Sequence, residues 1–267
     1  MAIFSAITPV SNKAALYVNR LEISLNATTP NTKIDVNAGA CRDSTNTYDI
    51  VVGNYEGAVP NSIIPANSIT TINGAVNGIN GLDTGTLAAS TMYYIHAIFD
   101  NTMKLPSGLV LSLSLTAPLL PAGYSSFRWI GQWTTDSSVH FLAGYNYGTG
   151  TQRLFFYDAV QSTGLDAGSS TTYSSINLVN LVPAIDNIPV WLVNTLTPGA
   201  ASRVLNVRPT GSAGDALTVI GQVAAVPISS KQLVNAKLSS SAPSIQYKVT
   251  NAGDVAAVQL AGFYYSL

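Results

Sequence analysis

Two tyrosines one residue apart, Tyr145 and Tyr147 in the run Tyr145-Asn146-Tyr147-Gly148, are the residues best suited by type and spacing to bind a ligand. Tyrosines held out on a loop offer flat faces and hydroxyls to sugars or peptides at low entropic cost. The competing reading is that Tyr145 ends a strand and packs inward. Other chemistry-bearing residues are sparse. His96 lies in an aromatic run and reads as a core or interface histidine. His140 follows Ser137 and Ser138, but a triad needs a base, an orienting acid and an oxyanion site brought together in space. Neither Gly-x-Ser-x-Gly nor His-Glu-x-x-His occurs. Two histidines with no second ligand nearby do not predict a zinc site. The single cysteine, Cys41, has no partner for an internal disulfide and reads as a small buried hydrophobe.

The acidic residues, from Asp43 and Asp49 to Asp254, are scattered. A glycosidase needs two carboxylates about 5–10 Å apart across a cleft. Most of these acids fall instead in stretches of turn formers, where Asp bonds its own backbone. Asp43 and Asp49 lack the twelve-residue loop pattern of a dedicated calcium site. The sequence therefore predicts no catalytic residue, metal or cofactor, and Tyr145 and Tyr147 stand as its ligand-binding candidates.

Composition narrows the partners. Of 267 residues, 47% are hydrophobic and only 9% are charged, the net charge is −1 and the mean hydropathy is +0.27. A typical domain is about 25% charged. Charge is depleted at the cores of protein interfaces, so the composition predicts that partner subunits cover much of the surface. The cations are too dispersed to displace counterions from a phosphate backbone, which argues against nucleic acid. No apolar run reaches the roughly 18 residues of a membrane-spanning helix, and the first residues lack the basic and apolar regions of a signal peptide.

The elements that must position these residues are strands. Leu109, Leu111, Leu113 and Leu115 alternate with Val110, Ser112 and Ser114, the period of a strand with one buried face. Pro118 and Pro121 end that ladder, and Gly123 supplies a turn before a second apolar run, 124–133. Further strands are predicted at 17–25, 33–36, 47–52, 91–99, 139–145 and 153–157, the last buried on both faces, with a loop over 37–46. Residues 68–87 carry Asn-Gly at 73–74, 77–78 and 80–81 and read as a turn-rich loop rather than three hairpins. Seven more strands are predicted between 176 and 265, spaced as in a sandwich or barrel. The fold class is all-β, an antiparallel β-sandwich or jelly-roll-like arrangement in one or two domains. A docking arm is predicted over 1–16 and a β-sandwich domain over 17–157. The Ser/Thr/Gly-rich stretch 158–175 reads as a linker or domain boundary. Residues 176–267 form a second sandwich or the second half of the same fold.

The segment 111–138, in particular Ala117, Pro118, Leu120, Pro121, Gly123, Tyr124, Phe127, Arg128, Ile130, Gly131 and Asp136, resembles tailed-bacteriophage virion structural proteins, notably tail-fibre and related appendage proteins. The Tyr93-Tyr94 strand and the Arg42-Asp43-Ser44 core resemble that pattern too, so the likeness spans about 17–157. It implies a virion protein assembled in the host cytoplasm, where a lone cysteine is at home. It further implies a homo-oligomer, foremost a trimer, joined to other phage virion proteins through the N-terminal arm and adhering to a host surface glycan or receptor. A long shaft is missing before the matched region, which fits a compact appendage. The alternatives are a head-decoration or head-fibre protein with a purely structural role and, less favoured, a glycan-cleaving appendage.

Overall fold

The computed structural model describes residues 16–53, 69–148, 150–214, 217–240 and 242–267. Among these residues there are nineteen strands and no helix. The fold is all-β, built almost wholly of antiparallel sheets in a sandwich-like arrangement. The predicted arm, 1–16, lies outside the described residues except for Leu16. The chain divides into two compact units, one of residues 1–153 with 266–267 and one of residues 154–265.

The first unit holds strands β1 (Val18–Arg20), β2 (Ile23–Leu25), β3 (Lys33–Asn37), β4 (Gly39–Arg42), β5 (Asp49–Val52), β6 (Ile69–Asn73), β7 (Gly81–Leu82), β8 (Met92–Phe99), β9 (Gly108–Ser112), β10 (Ser126–Thr134) and β11 (Gly144–Tyr147). Strands β1 to β10 form sheets of order β1-β4-β5, β2-β3-β6 and β10-β8-β9-β7, and β11 is the end strand of a further sheet. The single strand predicted over 17–25 is in fact two, and they serve different sheets. Arg20 and Leu21 between them adopt left-handed φ values of 60° and 61°, a conformation that costs a residue with a Cβ about 1–2 kcal/mol. Three things hold the turn. Leu21 is fully buried. Gly39, opposite Arg20 in the ladder, leaves room, since a Cβ there would lie 2.5 Å from the Asn19 carbonyl oxygen and 2.7 Å from the Leu21 nitrogen. The third is Arg153, whose side chain is 1% exposed. Its Nη2 donates to the Arg20 carbonyl at 2.7 Å, its Nε to the Gly150 carbonyl at 3.0 Å and its Nη1 to the Gly148 carbonyl.

Other departures from the sequence reading have local causes. The predicted loop 37–46 contains β4, because its small residues Gly39, Ala40 and Cys41 fit a ladder between β1 and β5. The alternation at 109–115 does not mark a one-faced strand. Strand β9 stops at Ser112, lies between β8 and β7 in its sheet and is buried on both faces. Residues 139–145 do not form the predicted strand; Phe141 makes only an isolated bridge to Thr135, and the strand is β11.

The second unit holds β12 (Gln152–Gly168), which carries the chain out of the first unit, β13 (Ser174–Asn177), β14 (Ile188–Thr197), β15 (Arg203–Pro209), β16 (Leu217–Gly221), β17 (Ile228–Ser239), β18 (Ala242–Val249) and β19 (Val255–Ser266). Their order is β12-β19-β14-β17-β18-β15-β16, with β13 on β18. Strand β17 turns the corner: residues 228–236 pair with β14 and 237–239 with β18. Strict alternation along β14 buries Ile188, Val190, Leu192, Asn194 and Leu196, as a sandwich core requires. The stretch 158–175 is not a linker. Its first part continues β12, whose residues beyond Tyr157 are mostly exposed, so Ser, Thr and Gly there reflect a solvated strand. The division of the chain falls after Arg153, and 153–157 alternates in burial instead of being buried on both faces.

Arg153→Met leaves three backbone carbonyls without their donors and should lower the unfolding free energy by at least about 2 kcal/mol. Arg153→Lys should recover only part, because an ammonium lacks the planar fork. Urea midpoints of the two variants check this, and wild-type midpoints in both would overturn it.

Candidate functional site

Strand β11 alternates in exposure, so Gly144 and Asn146 take one side and Tyr145 and Tyr147 the other. Tyr145 is 54% exposed and Tyr147 53%. Their rings are stacked, with centroids 6.2 Å apart and planes inclined at 28°. The inward-packing reading of Tyr145 is thereby excluded. The two rings form a double aromatic surface open to solvent, and the ring contact itself contributes about 0.5–1.5 kcal/mol toward holding it. Gly148 ends the strand with a φ of 109°, and the Gly148 and Gly150 carbonyls are those gripped by Arg153. The buried arginine therefore fixes the turn directly after the tyrosines.

His96 is fully buried on β8. Its Nε2 lies 2.9 Å from the Ser114 carbonyl oxygen, which only accepts, so Nε2 carries the proton and donates. The ring meets Phe127 edge-on at 5.6 Å. Burial holds its pKa down to about 4, against the opposing pull of the Ser114 hydrogen bond. His96 is a neutral structural donor that ties the segment after β9 to the sheet. Gln132 is also fully buried, on the same sheet and opposite Tyr94. His140 sits in a turn: the Asp136 carboxylate accepts from the backbone N–H groups of Ser138 and His140, both at 2.8 Å, and lies 3.8 Å from His140 Nδ1. Ser138 contributes its backbone N–H to that turn.

The acids act as turn fasteners. Asp43 accepts from the Thr47 and Tyr48 N–H groups. Asp100 accepts from the Thr102 hydroxyl and from the Lys104 and Leu105 N–H groups, and the Thr102 bond chiefly holds its carboxyl below the usual range. Buried Asp254 accepts from the Gly199 and Asn251 N–H groups. Asp49 pairs with Arg42 at 3.3 Å. Among the described residues no group of three His, Cys, Asp or Glu side chains could hold a metal ion. Cys41 is buried, and desolvation pushes its thiol up to about 12.

Sequence reasoning missed Arg153 as an anchor, having read it as the start of an apolar run. It also missed Phe156 and Trp191, which line a cavity of about 330 Å³ in the second unit. The signal for Phe156 and Trp191 was parity within β12 and β14.

No family model and no curated protein matches this chain. Among solved structures, a carbohydrate-binding module (CBM6cm-2) from Cellvibrio mixtus lichenase 5A in complex with cellotriose shares 12% identity over 45% of this chain and 86% of its own, with a TM-score of 0.24. The insecticidal delta-endotoxin Cry8Ea1 of Bacillus thuringiensis shares 9% over 93% of this chain and 52% of its own, with a TM-score of 0.23. A Cry1Da tryptic core variant from Bacillus thuringiensis shares 10% over 92% and 51%, with a TM-score of 0.18. The chain spans about half the length of the two endotoxin structures. Likenesses this slight carry no weight for function.

Two outcomes follow. Between about pH 6.5 and about 4 the unfolded chain takes up a proton that folded His96 refuses, so stability falls as pH falls through that window, by up to about 3 kcal/mol from this group. His96→Gln, which removes the titration, should flatten urea-derived stability against pH across the window; an unchanged slope would sink the assignment. Cys41 should resist a thiol-specific reagent in the native state and react fully in denaturant; rapid native labelling would show an accessible thiolate.

Proposed function

We propose that this chain is a subunit of a homo-oligomeric tailed-phage appendage, foremost a trimer, that adheres to a host surface glycan or receptor through Tyr145 and Tyr147. The observation that carries the adhesive part of the reading is the stacked, half-exposed tyrosine pair on β11. Two rings already ordered by each other and by a clamped turn lose little freedom when a ligand covers them. In a symmetric oligomer the same pair recurs on every subunit, and linked weak sites gain avidity without new contacts. The virion setting is supported by the resemblance at 111–138 and by the charge-poor composition.

The test uses the purified full chain and host cells. Tyr145→Thr with Tyr147→Thr keeps strand propensity while removing both rings. Cell binding should drop at least about tenfold, a loss of roughly 1.4 kcal/mol or more, with the oligomer unchanged in size-exclusion chromatography. Wild-type binding by the double variant would refute the tyrosine site. A monomeric wild-type chain would refute the oligomeric part.

A further inference from the structure

The second unit carries a groove of its own. On the outward face of the sheet, β12 presents Phe156, Asp158 and Val160, and β14 presents Trp191, on either side of β19. The groove floor on β19 is Ala261, and small residues there leave the space between the two aromatic walls open. The ladder between β14 and β19 breaks at this point: Trp191 pairs with Gly262 and Leu192 with Leu260, so Ala261 is an extra, bulged residue. Bulges re-aim side chains and recur beside functional sites. Gly262 lets β12 come close, since a Cβ there would lie 2.3 Å from the Phe155 carbonyl oxygen and 2.7 Å from Phe156 Cδ1. The resulting cavity, about 330 Å³, is at the low end of the roughly 300–1,000 Å³ of small-molecule clefts. That is room for one ring-sized ligand rather than for a chain segment.

The polar groups specify its chemistry. The Trp191 indole N–H is buried and has no acceptor among the described residues. An unmet buried donor costs about 1–3 kcal/mol, and a rotation of the half-buried Trp191 side chain that turned Nε1 to the groove would let a ligand oxygen relieve it. Asp158 and Lys231, both exposed, line the same cavity and make no hydrogen bond or ion pair among the described residues, leaving one acceptor and one donor at the rim. A wholly apolar ligand would satisfy the aromatic walls and none of these three groups. A pyranose ring satisfies all of them, with an apolar C–H face for the rings and hydroxyls that both donate and accept.

The geometry points to a monosaccharide-binding site in this groove, with Phe156 and Trp191 as the aromatic walls, Trp191 Nε1 and Lys231 as donors and Asp158 as an acceptor. The site is independent of the tyrosine pair, which belongs to the other unit, so either can fail alone.

The test titrates the full-length protein with methyl glycosides of glucose, galactose, mannose and N-acetylglucosamine, read by saturation-transfer NMR and calorimetry. At least one glycoside should bind saturably with a dissociation constant in the millimolar range, about −4 kcal/mol. Ala261→Leu, which fills the floor, should weaken that binding at least about tenfold, and Asp158→Asn should weaken it less, both with wild-type thermal midpoints. If Ala261→Leu lowers the midpoint, Lys231→Met provides the equivalent loss from an exposed position. Absence of saturable binding by all four glycosides overturns the proposal. So does binding that is indifferent to these substitutions, or a groove that takes only an apolar probe such as anilinonaphthalene sulfonate. Retained glycoside binding by the Tyr145/Tyr147 double variant is the expected result and separates the two sites.

Discussion

The first unit depends on a buried cation that grips backbone carbonyls. Arg153 donates to the carbonyls of Arg20, Gly148 and Gly150, groups that carry only partial charge. Burial of a guanidinium is costly, and the geometry offsets that cost by satisfying several of its five donors at once. What it secures is a backbone route that the sequence alone disfavours. Two consecutive left-handed residues, Arg20 and Leu21, redirect the chain from one sheet to another within two residues. Without an external acceptor-to-donor clasp, the extended alternative that the 17–25 pattern suggests would compete. The same guanidinium holds the turn after β11, so one side chain sets both the sheet change near the start of the described chain and the platform for Tyr145 and Tyr147.

Scarcity of charge has a structural counterpart. Several of the few charged side chains are spent internally rather than on solvated faces. Arg128 and Arg153 are buried, as are Asp43, Asp100 and Asp254. Arg42 is held by Asp49 and by the Asn46 carbonyl at 2.6 Å. Arg208 lies over the Tyr173 ring at 3.3 Å and bonds Gln246 at 3.0 Å. Asp43 and Asp100 collect backbone N–H donors from their own turns, and Asp254 collects one from its own turn and one from Gly199, the usual way an irregular connection between strands satisfies its polar groups. In an all-β chain the connections carry most of that burden, because the ladders already pair the rest. The exposed surface is therefore poorer in charge than the composition indicates.

Strand existence in the second unit was legible because its core is one-sided: β14 alternates strictly and β19 does so up to its bulge, and alternation is a signal that local sequence carries. The first unit was harder for a definite reason. Its strands are short and several are buried on both faces, β9 throughout and β8 nearly so, so parity there holds no information about depth. The Leu109–Leu115 alternation was the clearest period in the sequence, yet Leu113 is 61% exposed and outside the strand. Gly39 and Cys41 hid β4 because glycine and small residues read as a turn when the close backbone approach they serve is long-range. The turn role of the aspartates was legible, since an Asx bond is local. Arg153 was not, since its farthest acceptor lies 133 residues away.

Binding features of the two units differ in how they reach solvent, and that difference follows from strand position. Tyr145 and Tyr147 lie on β11, at the end of its sheet order, where a four-residue strand holds both rings out to solvent. Phe156 and Trp191 flank β19, which lies between β12 and β14, and there a recess arises only if the intervening strand is lowered. Alanine on the floor, a bulge and a glycine that admits its neighbour achieve that lowering. An edge platform suits a ligand that is itself large and flat. A recess between aromatic walls suits one ring with hydroxyls around it. The same residue types thus specify different ligands, because the sheet decides whether an aromatic side chain becomes a surface or a wall.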